Sequence, residues 1–310
     1  MERIKICFAG VGSIARRHIK NLGFIANQRK IEIRIDAFRR TKEEIEGVDR
    51  IYTELADVPD DYDIIFITNP TEMHLSTLRK FNGKGKHFFI EKPVVSINQI
   101  AEAKIFKKNK DSVYHVACPL RYNAVVQYLK KNINPRDVIS VRSISSSYLP
   151  DWRPEQDYRN TYSAHKDMGG GVSIDLIHEW DYMTYLFGWP QKIHCFIGKK
   201  SNLEIDSDDY AIYIAEYEKM VAELHLDYFG RKTIREIQIF TNEDTIIGDI
   251  ISNRILYMKS GDTIDFKENR DDYQIRELES FLDMISGKMP IDDEYGHGIS
   301  VLELTQGRVN

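Results

Sequence analysis

Cysteine is scarce in this chain, and features that mark secreted or membrane proteins are missing. Only Cys7, Cys118 and Cys195 occur among 310 residues, an odd number scattered too widely for a disulfide framework or a zinc-binding spacing. Such thiols are typical of the reducing cytoplasm. No run of about 18 apolar residues is present, so no membrane span is expected. The opening MERIKICFAGVG lacks the apolar region and cleavage site of a secretory signal.

Excess positive charge is lacking as well. The net charge of −5 gives no basic surface for nucleic acid, and the KKNK run at 107–110 is explained as a solvated helix end. The composition, 42% hydrophobic and 29% charged, is that of a globular protein with a length sufficient for about two domains. We therefore expect a cytoplasmic protein that binds neither nucleic acid nor a membrane and has no metal site.

Short apolar runs alternate with helical stretches in the first third of the chain. Strands are predicted at 4–10, 31–38, 63–68, 87–91 and 113–118, and helices at 13–22, 73–81 and 97–108. Strands separated by helices favour right-handed crossovers and a doubly wound parallel sheet. We expect this first domain to occupy residues 1–120.

Beyond Pro119 the pattern changes to strands with little helix between them. Alternation of polar and apolar residues along 221–228 predicts a mostly antiparallel, open-faced sheet with one covered face. The helices predicted at about 172–187 and 274–286 are the candidates to cover it, in a second α+β domain at 121–310. The fold class expected for the whole chain is α/β. Strands are predicted at 138–149, 192–198, 210–217, 220–229, 235–241 and 254–259.

The segment AGVGSIARRH at 9–18 joins the first strand to the first helix with the spacing G-x-G-x-x-A. Gly10 permits a tight turn, Gly12 lets the backbone approach a pyrophosphate, and Ala15 keeps the helix close to the strand. The N–H groups that open the helix, at Ser13, Ile14 and Ala15, carry the partial positive charge that binds phosphates. Glycine turns are common, so its place in the first strand–turn–helix unit is what favours a Rossmann dinucleotide site.

The end of the second predicted strand should bind the ribose of the cofactor. Asp36 is one option, although the alternation along 31–37 can place it on the wrong side of the strand. Arg39 and Arg40 follow directly, and guanidinium groups there suit a 2′-phosphate. This favours NADP over NAD, with two exposed loop arginines as the alternative explanation.

The segment IEKPVV at 90–95 ends another strand at the edge where parallel sheets bind ligands. Proline restricts Lys92 to extended or turn geometry, and a cis Lys92–Pro93 bond is an option. Glu91 and Lys92 are either a surface ion pair of little energetic value or part of a cleft. In a cleft, desolvation lowers the pKa of a lysine and fits it to bind or protonate a substrate oxygen.

The segment GGGVSIDLIHEWDYMTYLFG at 169–188 places three glycines before Asp175, His178 and Asp181. The plain interpretation is a capped amphipathic helix with a solvated stripe, ending at Gly188. The functional interpretation is a site that handles protons, because histidine titrates near neutral pH. On that view the glycines let the backbone turn closely beneath a ligand.

Four segments taken together resemble a known family. AGVGSIARRH, TNPTEMH (68–74), GKHFFIEKP (85–93) and GGGVSIDLIHEWDY (169–182) are similar, in that order, to motifs of the Gfo/Idh/MocA oxidoreductases. LDYFGR (226–231) resembles a further strand of the family, and 147–171 resembles a subgroup linked to sugar-polymer biosynthesis. The resemblance implies an NAD- or NADP-dependent dehydrogenase or reductase of a sugar or polyol. It also implies a homo-oligomer, a dimer or tetramer, formed through the second sheet.

The resemblance also implies residue roles. Lys92 bridges nicotinamide and substrate, and Asp175 and His178 form the rest of the catalytic set. The family spacing is D-x-x-x-H, whereas here His178 comes one residue early and Glu179 holds the fourth place. His178 keeps the family's distance to Asp181, so the acidic member stays open between Asp175 and Glu179. The implied cofactor-lining residues are Thr68, Asn69, His74 and Glu91, with Arg121 reaching cofactor or substrate.

Arginines and aromatic residues are mixed along 151–166, which suits a pyranose with an anionic substituent such as a uronate, a phosphate or a nucleotide diphosphate. The alternative is an exposed loop of mixed polarity. A non-catalytic protein that senses a dinucleotide or sugar is the alternative function, and an apolar lid would instead have favoured dihydrodiol or biliverdin reductases. The candidate substrate contacts are Trp152, Arg153, Tyr158, Arg159 and Tyr162, besides Lys92, Arg121, Asp175 and His178.

Overall fold

The computed structural model describes residues 3–309 and divides into two compact units. The first comprises the chain up to residue 117 together with residues 270–299. The second comprises residues 118–269 and the residues from 300 onward. Segment 270–299, which the sequence assigned to the second domain, is thus packed with the first.

The first unit contains a six-stranded sheet in which every described pair of strands is parallel. The strand order is β3-β2-β1-β4-β5-β6, so the chain builds outward in both directions from β1. This confirms the doubly wound parallel sheet expected from the alternation of strands and helices. The strands are β1 (Arg3–Ala9), β2 (Glu32–Phe38), β3 (Arg50–Tyr52), β4 (Tyr62–Ile67), β5 (Gly85–Ile90) and β6 (Tyr114–Val116).

The helices follow the chain with bounds close to several of the predicted ones. The helix predicted at 97–108 is shorter, since its regular part ends at Lys104. No helix in the described part of the chain is long and apolar enough to cross a membrane. The helices are α1 (Ser13–Arg29), α2 (His74–Phe81), α3 (Ile100–Lys104), α4 (Ala124–Asn132), α5 (Val172–Asp175), α6 (His178–Phe187), α7 (Arg270–Ile285) and α8 (Glu294–Leu304).

The core of the first unit is aromatic. Phe66 stacks on Phe8 and on Phe89, with ring centroids 4.4 and 4.8 Å apart, and Phe281 of α7 meets the ring of Phe89 edge-on. The expectation that the helix near 274–286 covers the second sheet is therefore wrong, because its apolar stripe is buried against the first. An ion pair from Arg29 of α1 to α7 reinforces this packing.

The second unit contains an eight-stranded sheet in the order β14-β13-β12-β11-β7-β10-β9-β8. Within this second sheet, only the β7–β10 pair is parallel among the described strands, which confirms the mostly antiparallel sheet. Ala222, Leu224 and Leu226 are fully buried, whereas Val221 is 41% exposed on the opposite face. The strands are β7 (Val138–Tyr148), β8 (Lys192–Gly198), β9 (Tyr210–Glu216), β10 (Val221–Asp227), β11 (Phe229–Thr241), β12 (Thr245–Asp249), β13 (Arg254–Tyr257) and β14 (Thr263–Asp265).

The helix predicted at 172–187 is broken in two. α5 ends at Asp175 and α6 begins at His178, because Leu176 leaves the helical region at φ −97° and ψ 30°. Gly188 ends α6 with a positive φ of 81°, as expected. Asp175 and Asp181 are both buried, so the solvated stripe of the plain interpretation is absent from these two helices.

Candidate active site

The glycine turn between β1 and α1 has one residue that faces the protein and one that faces open space. Gly10 has a φ of +94°, and a Cβ there would lie 2.7 Å from the backbone of Asn69. A Cβ at Gly12 would meet no described atom within 4 Å. Gly12 is also the N-cap of α1 and provides no side-chain hydrogen bond to it. This leaves the N–H groups of Ser13, Ile14 and Ala15 available to a phosphate, as a dinucleotide site requires.

The loop after β4 supports this turn. The hydroxyl of Thr68 donates to the carbonyl of Gly10 at 2.7 Å, so Thr68 helps to fix the position of the turn. The amide nitrogen of Asn69 donates to Thr77, while its buried Oδ1 has no hydrogen-bond partner among residues 3–309. An unpaired buried acceptor is costly, and here it fits a donor from a bound ligand.

The side chain of His74 contacts the protein's own loops and does not face open space. Only 2% of the residue is exposed, and its two ring nitrogens lie 2.9 and 3.0 Å from the carbonyl oxygens of Asn69 and Pro93. Burial lowers the pKa of His74, so the neutral ring has one N–H to donate to these carbonyls. His74 thus lies between the turns that follow β4 and β5, and its single N–H donates to the carbonyl of one of them.

The residues at the end of β2 differ in what they can offer a ribose. Asp36 is 2% exposed, and its carboxylate accepts hydrogen bonds from Tyr62 and Arg34. It is therefore committed inside the fold. Arg39 pairs with Glu43 at 3.3 Å, whereas Arg40 is exposed.

The turn after β5 is built around a buried carboxylate. The Lys92–Pro93 bond is cis, which confirms that option. Oε1 of Glu91 accepts from Nε2 of His18 at 2.6 Å, and Oε2 accepts from the backbone N–H of Lys92 at 3.2 Å. Burial raises the pKa of Glu91, but the contact with His18 and the charge of Lys92 outweigh it and lower that pKa overall. The surface ion pair of the plain interpretation is excluded, since the Glu91 side chain is only 13% exposed.

In the second unit, hydroxyl groups surround Asp175. Its Oδ2 accepts from Ser163 and Tyr228, each at 2.6 Å, and the residue is 5% exposed. Tyr162 is 40% exposed, yet its hydroxyl also bonds Asp175, whose negative charge, followed by burial, raises the pKa of Tyr162. Asp175 thereby anchors the 158–165 loop to the helical segment.

The charged groups of α6 have separate partners. Glu179 is fully buried, and its Oε1 accepts from Nε of Arg235 at 2.7 Å. Asp181 accepts two hydrogen bonds from Arg121, at 2.9 and 2.5 Å. His178 is the only half-buried residue in the otherwise buried segment 171–184. Its side chain is thus the most accessible of this helix face.

The candidate substrate contacts fall into two groups. The ring of Trp152 meets that of Tyr228 edge-on at 5.2 Å, which links it to the surroundings of Asp175. The positive charge of Arg153 acts on Tyr162 in the same region. Arg159 instead binds the carboxylates of Asp157 and Glu204, and the Tyr158 hydroxyl accepts from the backbone of Glu204.

Two of the three glycines before α5 serve the protein's own packing. A Cβ at Gly170 would lie 2.0 Å from the carbonyl oxygen of Tyr162, and one at Gly171 would lie 2.2 Å from the carboxylate of Asp208. Gly171 also has a φ of +130°. The expectation that these glycines turn beneath a ligand is therefore wrong at Gly170 and Gly171; only at Gly169 is the space open among the described atoms.

His18 is a functional candidate that the sequence does not reveal. It lies within AGVGSIARRH, on the predicted helix at 13–22. Its spacing of six residues from Gly12 gives no local signal of a partner, because Glu91 is 73 residues away along the chain.

Two family profiles match the sequence. One, described as an oxidoreductase family with an NAD-binding Rossmann fold, matches residues 4–118. The other, a GFO/IDH/MocA C-terminal domain, matches residues 126–247. Together they cover most of both units.

Several named proteins are similar to this chain. It is 25% identical over 186 residues to the uncharacterized oxidoreductase YrbE of Bacillus subtilis, covering 58% of the chain and 52% of YrbE. It is 24% identical over 191 residues to inositol 2-dehydrogenase of Rhizobium meliloti, covering 60% and 55%. The chain thus spans about half the length of the curated relatives it matches.

Solved structures share the fold over nearly the whole chain. Levoglucosan dehydrogenase in complex with NADH has a TM-score of 0.84 at 15% identity, covering 99% of this chain and 96% of that one. UDP-N-acetylglucosamine 3-dehydrogenase from Acidithiobacillus ferrooxidans has a TM-score of 0.77 at 19% identity, covering 99% and 97%. At these identities the likeness shows the fold alone.

Proposed function

The chain belongs to the GFO/IDH/MocA family of oxidoreductases, and from this premise we propose that it is an NAD(P)-dependent dehydrogenase or reductase of a sugar or related polyol. The observation that carries the proposal is the glycine turn, where Gly12 faces open space at the uncapped start of α1. The names of the inositol, levoglucosan and UDP-N-acetylglucosamine dehydrogenases support the substrate class.

The cofactor would be held by the residues of the first unit. Its pyrophosphate would lie on Gly12 and the N–H groups of Ser13, Ile14 and Ala15. Oδ1 of Asn69 would accept a hydrogen bond from a hydroxyl or amide group elsewhere on the cofactor. When bound, nicotinamide accepts or supplies the hydride. Arg40 is the guanidinium exposed to a 2′-phosphate, since Arg39 is paired with Glu43 and Asp36 is committed elsewhere. These contacts favour NADP over NAD.

We assign the proton chemistry to Lys92 and His178. Lys92 would polarise the substrate oxygen, and His178 would accept or donate the hydroxyl proton, a role that suits an imidazole near neutral pH. Asp175 is the acidic member of this set. The partners of the two carboxylates support that choice, because Glu179 forms an ion pair with Arg235 whereas Asp175 is bonded by neutral hydroxyl groups, which include that of the exposed Tyr162.

Residues around Asp175 would bind the sugar. Trp152 and Tyr162 offer aromatic surface for a pyranose ring, and Arg153 offers an exposed charge for an anionic substituent such as a uronate or a nucleotide diphosphate. Arg121 and Arg159 are already bound to carboxylates, so they would shape the site rather than bind the anion themselves. Tyr158 would help Arg159 to shape the site, since its hydroxyl accepts from the backbone N–H of Glu204.

The second sheet and the thiols support the proposals for assembly and location. Isoleucines and charged residues, which include Arg142 and Glu223, line a groove on the open face of this sheet. Its burial by another copy would form a dimer or tetramer. The isoleucines are Ile144, Ile212, Ile214 and Ile234. The cysteines Cys7, Cys118 and Cys195 are all free thiols, which favours a cytoplasmic location.

The test is a cofactor titration followed by a substrate screen. NADH and NADPH are titrated by fluorescence, and the oxidised cofactors are then incubated with inositols, anhydrosugars, uronates and nucleotide sugars while reduced nicotinamide is followed by absorbance. Binding of either cofactor together with turnover of one substrate class supports the proposal. Absence of cofactor binding overturns it, and binding without turnover on any class favours the sensor instead.

A further inference from the structure

The backbone needs a hydrogen-bond acceptor where it leaves β5. The N–H of Glu91 makes the last ladder bond, to the carbonyl of Ile67 at 2.9 Å. Lys92 carries the next N–H donor along the chain, and Pro93 after it has none. A buried N–H without a partner is rare because it is costly. Oε2 of Glu91 accepts this bond at 3.2 Å.

His18 fixes the carboxylate that makes this bond. The residue is 1% exposed and lies between the rings of Phe66 and Phe89, with centroid distances of 5.7 and 5.0 Å. Nε2 bonds Oε1 of Glu91 at 2.6 Å, and Nδ1 has no hydrogen-bond partner among residues 3–309. Glu91 is therefore the one polar contact that the described chain gives this imidazole.

From this arrangement we propose that His18 is a positioning residue for Lys92 and acts through Glu91. The inference rests on the proposed function, because it concerns how that function's lysine is held. His18 itself is 1% exposed and lies beside the rings of Phe66 and Phe89, so its side chain has no open surface to offer a ligand.

The geometry explains why one histidine has this effect. A glutamate side chain has three rotatable bonds, so its carboxylate is aimed only if another contact fixes it. With Oε1 held by His18 in a charge-assisted hydrogen bond, Oε2 remains directed at the Lys92 N–H. His74 holds the other side of the same turn through the Pro93 carbonyl. The turn that contains Lys92 is thereby contacted from α1, by His18 through Glu91, and from α2, by His74.

The position of His18 on α1 connects two parts of the candidate site. His18 follows Gly12 by six residues, which corresponds to about 9 Å along a helix axis. The same rigid helix thus carries the phosphate-binding turn at its start and the support of Lys92 two turns later.

The experiment compares His18→Leu, which removes the donor, with His18→Gln, whose amide N–H can still donate to Glu91. His87→Leu is the matched control, since His87 is also buried on β5 and bonds the backbone of Val113 instead. For each protein, kcat, KM, NADH affinity and Tm are measured. The rate at which a reductive-methylation reagent modifies the Lys92 ε-amine is followed by peptide mass spectrometry.

We expect His18→Leu to lower kcat by about 10- to 100-fold, as misplacement of a catalytic group by about 1 Å does, without changing NADH affinity. The methylation rate of Lys92 should change as well. His18→Gln should restore most of the wild-type kcat and most of the wild-type methylation rate. His87→Leu should lower Tm without either effect. Combining His18→Leu with Glu91→Gln should be no worse than the more damaging single variant.

Two outcomes overturn the inference. One is wild-type kcat and wild-type Lys92 methylation in His18→Leu. The other is a failure of His18→Gln to restore either quantity while it keeps the wild-type Tm. Absence of both NADH and NADPH binding by the wild-type protein would instead count against the proposed function, and the methylation comparison would still decide the role of His18.

Discussion

Arg235 of β11 donates from Nε to Oε1 of Glu179 on α6, at 2.7 Å, and the Glu179 side chain is completely buried. The resemblance implied Asp175 as the acidic group beside His178 and left Glu179 as the alternative. The pair with Arg235 turns Glu179 towards the second sheet and gives it a structural contact.

Arg235→Met should destabilise the protein strongly. The substitution leaves a buried carboxylate without its cation, and breaking a buried ion pair in this way costs about 3–5 kcal/mol. The free energy of unfolding from urea titration measures the loss. Arg142→Met is the control, since Arg142 and Glu223 are 47% and 45% exposed and such pairs contribute at most about 1 kcal/mol. Equal losses in the two variants would contradict the structural role of Glu179.

Tyr228→Phe should cost more stability than Tyr182→Phe. Both side chains are fully buried, but the Tyr228 hydroxyl donates to the carboxylate of Asp175, whereas that of Tyr182 pairs with the hydroxyl of Ser143. Hydrogen bonds to charged groups contribute about 1.5–3 kcal/mol, and neutral ones about 0.5–1.5 kcal/mol. Urea titrations of the two variants measure the difference. A smaller loss for Tyr228→Phe would show that Asp175 does not depend on this donor.

His115 should make stability depend on pH above neutrality. It is buried beside Glu277, at 3.3 Å, and in contact with Glu294. Burial opposes the charged ring, but the two carboxylates outweigh it and raise the pKa of His115 from 6.5 to about 10. A raised pKa means that the stabilisation is complete below pH 6.5 and is lost as the pH rises towards 10.

His115→Gln should remove this dependence. In wild-type protein one such proton changes the free energy of unfolding by at most about 1.4 kcal/mol per pH unit, and urea titrations across the window measure the slope. His87 is the control of opposite sign, because burial and then Lys86 lower its pKa to about 4. His87→Gln should therefore remove a loss of stability that appears below pH 6.5. Identical slopes above neutrality in wild type and His115→Gln would contradict the prediction.

Local patterns in the sequence were enough to locate most elements, but not their long-range partners. Strand alternation predicted the burial of Leu224 and Leu226 correctly, since it depends only on neighbouring residues. The stripe of α7 fits either sheet, so periodicity could not show that Phe281 packs beside Phe89. In the same way, nothing near His18 in the sequence indicates that its partner is Glu91.

The glycines show the same limit at the candidate site. A run of glycines predicts close approach, but it does not say to what. At Gly171 the close neighbour is the carboxylate of Asp208, whereas at Gly12 the space is open among the described atoms. Only coordinates distinguish a glycine required by the fold from one that leaves room for a ligand.

Lys92→Ala should abolish turnover while sparing cofactor affinity. The proposed role of the ε-amine is to polarise the substrate oxygen, which is a contact outside the phosphate-binding turn. Turnover of the substrate found in the screen and NADH fluorescence titration measure the two effects. Lys86→Ala is the control, because Lys86 is an exposed residue of the same strand. Retained turnover in Lys92→Ala would remove Lys92 from the catalytic set.

Gly12→Ala and Gly10→Ala should impair different properties: the first should weaken cofactor binding, and the second should lower stability. Gly12 has an ordinary φ of −91° and open space around it, so alanine should leave the Tm near that of wild type. Its methyl group would nevertheless occupy the approach of the pyrophosphate, and NADH affinity should fall about tenfold or more, equivalent to about 1.4 kcal/mol.

Gly10→Ala should instead lower Tm, since a left-handed backbone costs a residue with a Cβ about 1–2 kcal/mol and this Cβ would also strike the backbone of Asn69. Thermal unfolding and fluorescence titration of the two variants separate the effects. If Gly12→Ala binds NADH as tightly as the wild-type protein, the pyrophosphate does not lie on this turn, and the position of the cofactor proposed for the first unit is wrong.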